Sequence, residues 1–308
     1  MTTTDLAPMA KIKPRALAFG DTIGIAAPAG AFDADRLEKG LSVLQAMGFS
    51  VRLPDGAHAS QRYLAGTDDH RAAMFNRLFA DPDIKAVACA RGGFGALRMA
   101  PLIDMEAITR HPKIFLGFSD ISVLLSILGR KAGLITFHGP VVTSLADADD
   151  ATIASLADAL TTTEPLRIDL AEGMPLVPGT AQGPVAGGNL ASLCQMIGTP
   201  WQPAFDGCIL FLEETNEPAY RVDRMLNQMR LAGCLAGVAG VALGRFDRCG
   251  HMDVIFEIVR EHLPEGVAVL AGFPVGHNGT NQTLPLGVWA TLDAENRFLE
   301  YHEPALAR

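Results

Sequence analysis

Short apolar runs alternate with amphipathic segments through the first half of the chain, and this alternation limits the fold more than any other feature. Thr22 to Ala27, Phe49 to Leu53, Ile84 to Ala90, Ile114 to Leu116 and Leu134 to Phe137 read as strands. Between the first two, Asp33 caps a helix running to about Met47, with Leu37, Leu41, Leu44 and Met47 at helical spacing. Thr67-Asp68-Asp69 opens another, whose apolar face is Ala72, Phe75, Leu78 and Phe79. Strands separated by whole helices are not joined as hairpins. They form a parallel sheet covered by helices, with functional loops at the strands' C-terminal ends.

The character changes from Asp147 to Pro184, where a polar helix gives way to Thr161-Thr162-Thr163-Glu164-Pro165 and a segment dotted with glycine and proline. The expected division is a domain over residues 1–165, a linker over 166–183 and a second domain over 184–308. In the second domain, Gly187-Gly188-Asn189-Leu190 opens a helix to about Ile197. Cys208 to Leu212 is a strongly apolar strand ending in Glu213-Glu214, and Tyr220 to Leu231 is a helix. Val238 to Leu243 and Val267 to Leu270 read as strands around a helix from Met252 to Leu263. Thr283 to Tyr301 reads as two strands around a turn.

With 308 residues, 49% of them apolar, the chain can build two compact cores. A net charge of −9 argues against nucleic-acid or membrane-surface partners, so an acidic substrate must be held by local cations. Cys89, Cys194, Cys208, Cys234 and Cys249 are scattered, with no C-x-x-C pair, and read as reduced thiols rather than a disulfide framework. Met1-Thr2-Thr3-Thr4-Asp5 lacks the basic start of a signal peptide, and no apolar run is long enough to span a bilayer. The expectation is a soluble, cytoplasmic protein.

One strand end stands out chemically. Ile114-Phe115-Leu116-Gly117-Phe118-Ser119 runs into Asp120-Ile121-Ser122-Val123-Leu124-Leu125, so a buried strand turns sharply into a helix with Ser119 at the bend. A serine there can expose its hydroxyl above the sheet edge while the first NH groups of the helix point at whatever it attacks. The surroundings are similar to a nucleophile elbow, although Asp120 and Ile121 replace the residues of a G-x-S-x-G pattern. The competing reading of Ser119 is an ordinary helix cap.

A serine nucleophile needs a base and a group that orients the base. Among eight histidines, His58, His70, His111, His251, His262 and His302 read as surface residues and His138 as a turn residue with a satisfied ring. His277, in the loop Gly276-His277-Asn278-Gly279, is the candidate base. Glu213, directly after five apolar residues, is the candidate orienting acid, with a solvated strand end as the bland alternative. For the oxyanion, the backbone NH of Asp120 and the Gly92-Gly93 turn are the candidate donors. Arg91-Gly92-Gly93-Phe94-Gly95 lacks the G-x-G-x-x-G spacing and the lysine of a phosphate loop, and no metal-ligand cluster is evident, so neither a cofactor nor a metal is expected.

Tyr63-Leu64-Ala65-Gly66-Thr67, Ala90-Arg91-Gly92-Gly93-Phe94-Gly95, Gly117-Phe118-Ser119-Asp120, His138-Gly139-Pro140, Gly187-Gly188-Asn189-Leu190, Leu212-Glu213-Glu214 with Glu217-Pro218-Ala219-Tyr220-Arg221, and Gly276-His277 follow one another in this order. Together they resemble the LD-carboxypeptidase family of serine peptidases, which includes murein tetrapeptide carboxypeptidases and microcin C immunity hydrolases. The match runs from about Gly20 to Leu299. The resemblance implies Ser119 as nucleophile, Glu213 and His277 completing a triad, and Gly93 and Asp120 as backbone oxyanion donors.

It also implies an N-terminal layered α/β domain with a mainly parallel sheet, a β-rich α/β C-terminal domain, and an active site in the cleft between them. The implied activity is hydrolysis of the amide between an L-centre (diaminopimelate or lysine) and terminal D-alanine of a murein tetrapeptide, in cytoplasmic wall recycling, by a homodimer. Arg91, Gly92, Asn189 and Arg221 are candidate substrate contacts, with a structural salt bridge as the alternative for either arginine. An immunity hydrolase acting on aminoacyl-nucleotide amides is the nearest competing function. It would want an aromatic platform, and the only tryptophans are Trp201 and Trp289, with no long inter-domain insertion evident. A non-catalytic nucleotide- or ligand-binding module is the remote one.

Overall fold

The computed structural model describes residues 11–308. In the first half, β1 (Thr22–Ala26), α1 (Ala34–Ala46), β2 (Ser50–Arg52), α2 (Asp68–Ala80), β3 (Ile84–Cys89), α3 (Ala96–Met99), α4 (Met105–Arg110), β4 (Ile114–Gly117), α5 (Ser122–Lys131) and β5 (Thr136–His138) alternate as the apolar pattern requires. Asp33 caps α1 by accepting from Arg36 N at 2.8 Å, and Thr67 caps α2 by accepting from His70 N at 3.2 Å. All five strands pair in parallel. The strands β3 and β4 are apolar throughout their centres because helices cover both faces, with Phe75 and Phe79 of α2 meeting Phe115 of β4 at 5.5 and 6.2 Å between ring centroids.

After α6 (Asp150–Thr161) come β6 (Arg167–Asp169), β7 (Met174–Val177), β8 (Thr180–Asn189), α7 (Leu190–Cys194), β9 (Ile209–Thr215), α8 (Ala219–Leu231), β10 (Gly240–Asp247), α9 (Met252–His262), β11 (Ala268–Ala271), β12 (Leu284–Leu286), β13 (Trp289–Asp293) and β14 (Phe298–Tyr301). Eight of these strands form the second sheet, in the order β6-β14-β13-β8-β9-β10-β11-β7. Its centre, β8 to β11, is parallel, and antiparallel strands flank it on both sides. The chain is thus a two-domain α/β protein with mixed sheets.

Four expectations from the sequence change here. Residues 166–183, read as a linker, carry β6, β7 and the start of β8; β6 and β7 are the two edges of the second sheet, where a proline such as Pro175 is tolerated. The helix expected from residue 187 starts only at Leu190, because Gly187 and Gly188 are paired in β8 with Phe211 and Leu212. The segment expected as a hairpin holds three strands, and β12 leaves its own domain to pair with β5, Leu284 opposite His138, completing the order β12-β5-β4-β3-β1-β2. That pairing satisfies backbone groups that would otherwise be buried along β5. His262, read as a surface residue, is buried and meets Asp223 Oδ1 at 2.6 Å, which ties the end of α9 to α8.

Gly40 lies inside α1, where alanine would ordinarily be better by about 1 kcal/mol. Here an added Cβ would sit 1.9 Å from the Val142 carbonyl oxygen of the turn packed against the helix. Steric conflict wins, so Gly40→Ala is expected to destabilise by about 1–3 kcal/mol. A urea unfolding series that showed stabilisation instead would contradict this close approach.

Candidate active site

Ser119 sits where the sequence puts the bend, but its backbone is unusual. Phe118 is still extended, and Ser119 then adopts φ +63° before a single turn of 3-10 helix, Ser119–Ile121, leads into α5. A non-glycine residue held in left-handed dihedrals costs roughly 1–3 kcal/mol and persists only where its surroundings enforce it. The surroundings here are the glycine turn after β3. Gly92 is pressed against the serine: a Cβ on it would lie 2.8 Å from Ser119 Cβ and 3.0 Å from Oγ. Gly93 follows at φ +104°, a left-handed conformation that favours glycine.

Two buried charges hold the bend and the turn together; the sequence points only to the backbone NH of Asp120, not to its carboxylate, and not to Arg71. The Asp120 carboxylate is 2% exposed and accepts from Ala96 N at 2.8 Å and from Gln195 Nε2 at 3.1 Å. Burial raises its pKa, against the pull of those donors. The Arg71 guanidinium, fully buried, donates to the carbonyls of Pro28 and Gly95 and pairs with Asp68, which also takes Arg98 at 2.8 Å. The one sequence signal for Arg71 is its place beside Ala72 on the buried side of α2.

The second domain supplies the other two groups. Glu213, in β9, is wholly buried, and its Oε2 lies 2.8 Å from His277 Nδ1. The histidine keeps 22% of its side chain exposed. Burial pulls the pKa of His277 down, but the hydrogen bond to Glu213 and the charges of Glu213, Glu214 and Asp247 outweigh it, and the net shift is upward. Glu214, beside it, points the other way: buried, with its pKa raised by burial, it accepts from Asn189 Nδ2 and from the NH groups of Ala191 and Thr215.

The two halves meet through an aromatic contact. The Phe118 ring, one residue before Ser119, lies 4.7 Å from the His277 ring between centroids. No hydrogen bond joins Ser119 Oγ to His277 among the described residues; catalytic hydrogen bonds are often long until substrate binds. Behind Phe118, His138 is fully buried between Phe118 and Phe211, at 6.0 and 5.0 Å. Its ring was expected to be a satisfied turn residue. Instead neither ring nitrogen has a partner among the described residues, and burial lowers its pKa to about 4, so it stays neutral.

The candidate substrate contacts fare differently. Arg91 is exposed beside the glycine turn, donates to the Ala31 carbonyl and forms no ion pair among the described residues. Arg221 is exposed and pairs with Glu217 at 3.2 Å, the structural alternative considered for it. The Asn189 side chain is taken up by capping Ser192 N and by Glu214. All five cysteines are free. Among the described residues no group of His, Cys, Asp and Glu is arranged to hold a metal.

Residues 23–139 match the family model described as the LD-carboxypeptidase N-terminal domain, and residues 182–292 match the model of the C-terminal domain. The chain is 38% identical to a Bacillus subtilis protein named "Probable murein peptide carboxypeptidase", with 92% of each chain covered. It is 34% identical to a Pseudomonas aeruginosa protein named "Murein tetrapeptide carboxypeptidase", covering 88% of this chain and 92% of that one. Among solved structures, the wild-type microcin C7 self-immunity protein MccF superposes with a TM-score of 0.88 at 28% identity, covering 96% of this chain and 100% of the other.

The Glu213 contact makes a definite titration. His277 is expected to titrate above the ordinary value of about 6.5, and Glu213→Gln to bring it down to that value or lower, since burial then acts with less opposition. A folded pKa above the unfolded one stabilises the protein below about pH 6.5, and the contribution is lost as the pH rises through the raised value. Nitrogen-edited NMR of the imidazole checks this, and an unmoved titration in Glu213→Gln would exclude the carboxylate as its cause.

Proposed function

The chain belongs to the LD-carboxypeptidase family, and from that premise we propose that it is a serine peptidase releasing terminal D-alanine from murein tetrapeptides. The bond cut is the amide between the L-centre of the third residue, diaminopimelate or lysine, and D-alanine. The observation that carries the catalytic assignment is the buried Glu213–His277 hydrogen bond of 2.8 Å, set against the bend that holds Ser119.

In this reading Ser119 Oγ attacks the scissile carbonyl carbon while His277 Nε2 takes its proton. Glu213 keeps the proton of His277 on Nδ1, so that Nε2 is the free base, and stabilises the imidazolium that forms. The backbone NH groups of Gly93 and Asp120 receive the oxyanion, held in place by Asp120's own carboxylate and by Arg71. Collapse breaks the C–N bond, and His277 returns its proton to the departing D-alanine amine. Water, deprotonated by the same histidine, then cleaves the acyl ester and restores Ser119.

The same reading assigns the enzyme to recycling of wall fragments in the cytoplasm, as a homodimer. Among the described residues no helix is long and apolar enough to cross a membrane. Arg91 is the cation best placed to meet a substrate carboxylate beside the glycine turn.

Incubating the purified protein with tetrapeptide and assaying free D-alanine tests the function; cleavage of an aminoacyl-nucleotide amide with tetrapeptide untouched would overturn it. Ser119→Ala is expected to lower kcat by about three orders of magnitude or more. Ser122, one helical turn along, accepts from Asn189 N at 2.9 Å, so Ser122→Ala is expected to cost about 1–3 kcal/mol of stability with turnover largely kept. Because His277 must be neutral to act, kcat/KM should fall as the pH drops through its raised pKa. A profile flat from pH 8 to 5 would remove His277 from the role.

A further inference from the structure

Beside His277 a cavity of about 360 Å³ opens between the ends of β10 and β11, the start of α9 and the loop that follows β11. Its walls are of two kinds. Phe246 and Phe273 are buried and apolar, and Met252 and Phe256 of α9 face them across the space. The polar part of the lining is His277, Asn278 and the pair Arg245 and Asp247, two residues apart on β10, with backbone of Gly244, Gly272 and Pro274 between.

These two charges do not neutralise each other. Asp247 is engaged by Arg248 Nε at 3.1 Å, Thr215 Oγ1 at 3.2 Å and Asn278 Nδ2 at 2.5 Å. The Arg245 guanidinium lies instead over Gly279, where an added Cβ would be 3.3 Å from it, and its side chain makes no ion pair or hydrogen bond among the described residues. Next to the proposed catalytic base and at the edge of a partly apolar cavity, Arg245 feels the charge of Asp149 but is tied to no carboxylate by a hydrogen bond or ion pair among the described residues. A structural arginine on this strand would be expected to take the nearby carboxylate. What remains available is a planar cation that binds carboxylates in bidentate fashion, close to a carboxylate that still has acceptor capacity.

We propose that this cavity receives the side chain of the third residue of the tetrapeptide and selects diaminopimelate over lysine. The inference rests on the hydrolase reading above. The methylenes of the side chain lie against Met252, Phe256 and Phe246. Its terminal carboxylate pairs with Arg245, and its terminal ammonium faces Asp247. A diaminopimelate terminus carries both charges and meets both partners. A lysine terminus carries only the ammonium, leaves Arg245 unpaired and brings a like charge beside it. The guanidinium is exposed to solvent, which limits the discrimination to about one or two orders of magnitude.

Kinetics of D-alanine release from two tetrapeptides differing only at the third residue, meso-diaminopimelate or L-lysine, test this. The wild-type protein is expected to favour the diaminopimelate peptide in kcat/KM by about tenfold or more. Arg245→Gln should reduce kcat/KM on that peptide by about tenfold, chiefly through KM, and leave the lysine peptide within about twofold. Arg245→Lys, which keeps the charge but loses the planar fork, should recover part of the loss.

Equal rates on both peptides with the wild-type protein would overturn the subsite. So would an equal loss on both in Arg245→Gln, which is the result if Arg245 holds a carboxylate the two peptides share, such as that of D-alanine. Activity on neither peptide would instead overturn the hydrolase reading, and the subsite with it.

Discussion

A carboxylate with no solvent exposure has to be partnered, and in this protein the partner of Glu213 comes from a loop 64 residues further along the chain. The hydrogen bond to His277 therefore does two jobs. It satisfies one oxygen of a group that would otherwise be costly to bury, and it holds the imidazole with Nδ1 toward the carboxylate. Because β9 lies at the centre of the second sheet, between β8 and β10, the carboxylate has little freedom to follow a moving partner. The histidine loop is aligned to the sheet, and the Phe118 contact in turn aligns that loop to the first domain.

The first domain meets this with a bend under constraint. Left-handed dihedrals at Ser119 are tolerated because Gly92 leaves room for the hydroxyl and because Asp120 and Arg71 fasten both sides of the bend. Asp120 is the more telling of the two, since its carboxylate accepts from the first domain through Ala96 and from the second through Gln195. A residue that appears in the sequence as the neighbour of a serine is thus a bridge between the sheets. The strand β12 reinforces the same connection, for it continues from the histidine loop directly into the edge of the first sheet. Across this junction the proposed nucleophile and base are coupled by backbone pairing as well as by side chains.

Much of the first domain was legible because its signals are local. The caps Asp33 and Thr67, the apolar faces of α1 and α2 and the buried run of β4 all lie within a few residues of what they specify. The second half was less legible for a physical reason. The strands β6 and β7 are short and partly exposed, β12 is three buried residues in the other sheet, and all are held by backbone pairing to distant partners, so none carries a strong period of its own. The same holds for His138, whose polar ring is enclosed by Phe118 and Phe211 from two different domains. Arg245 carried no signal either, because its meaning depends on Asp247 being occupied by other groups.

By itself the sequence determined the layered α/β character, the sharp strand-to-helix bend at Ser119 and the individual candidacies of Glu213 and His277. Each of these follows from residue types and spacings over short distances, or from a set of short motifs in a fixed order. Only the tertiary structure decided that Glu213 and His277 are hydrogen-bonded, that the elbow serine is left-handed over Gly92, and that the chain crosses back to pair β12 with β5. Those outcomes depend on which buried groups find partners after the sheets assemble, and satisfaction of buried polar groups is a property of the whole packing arrangement rather than of any stretch of chain.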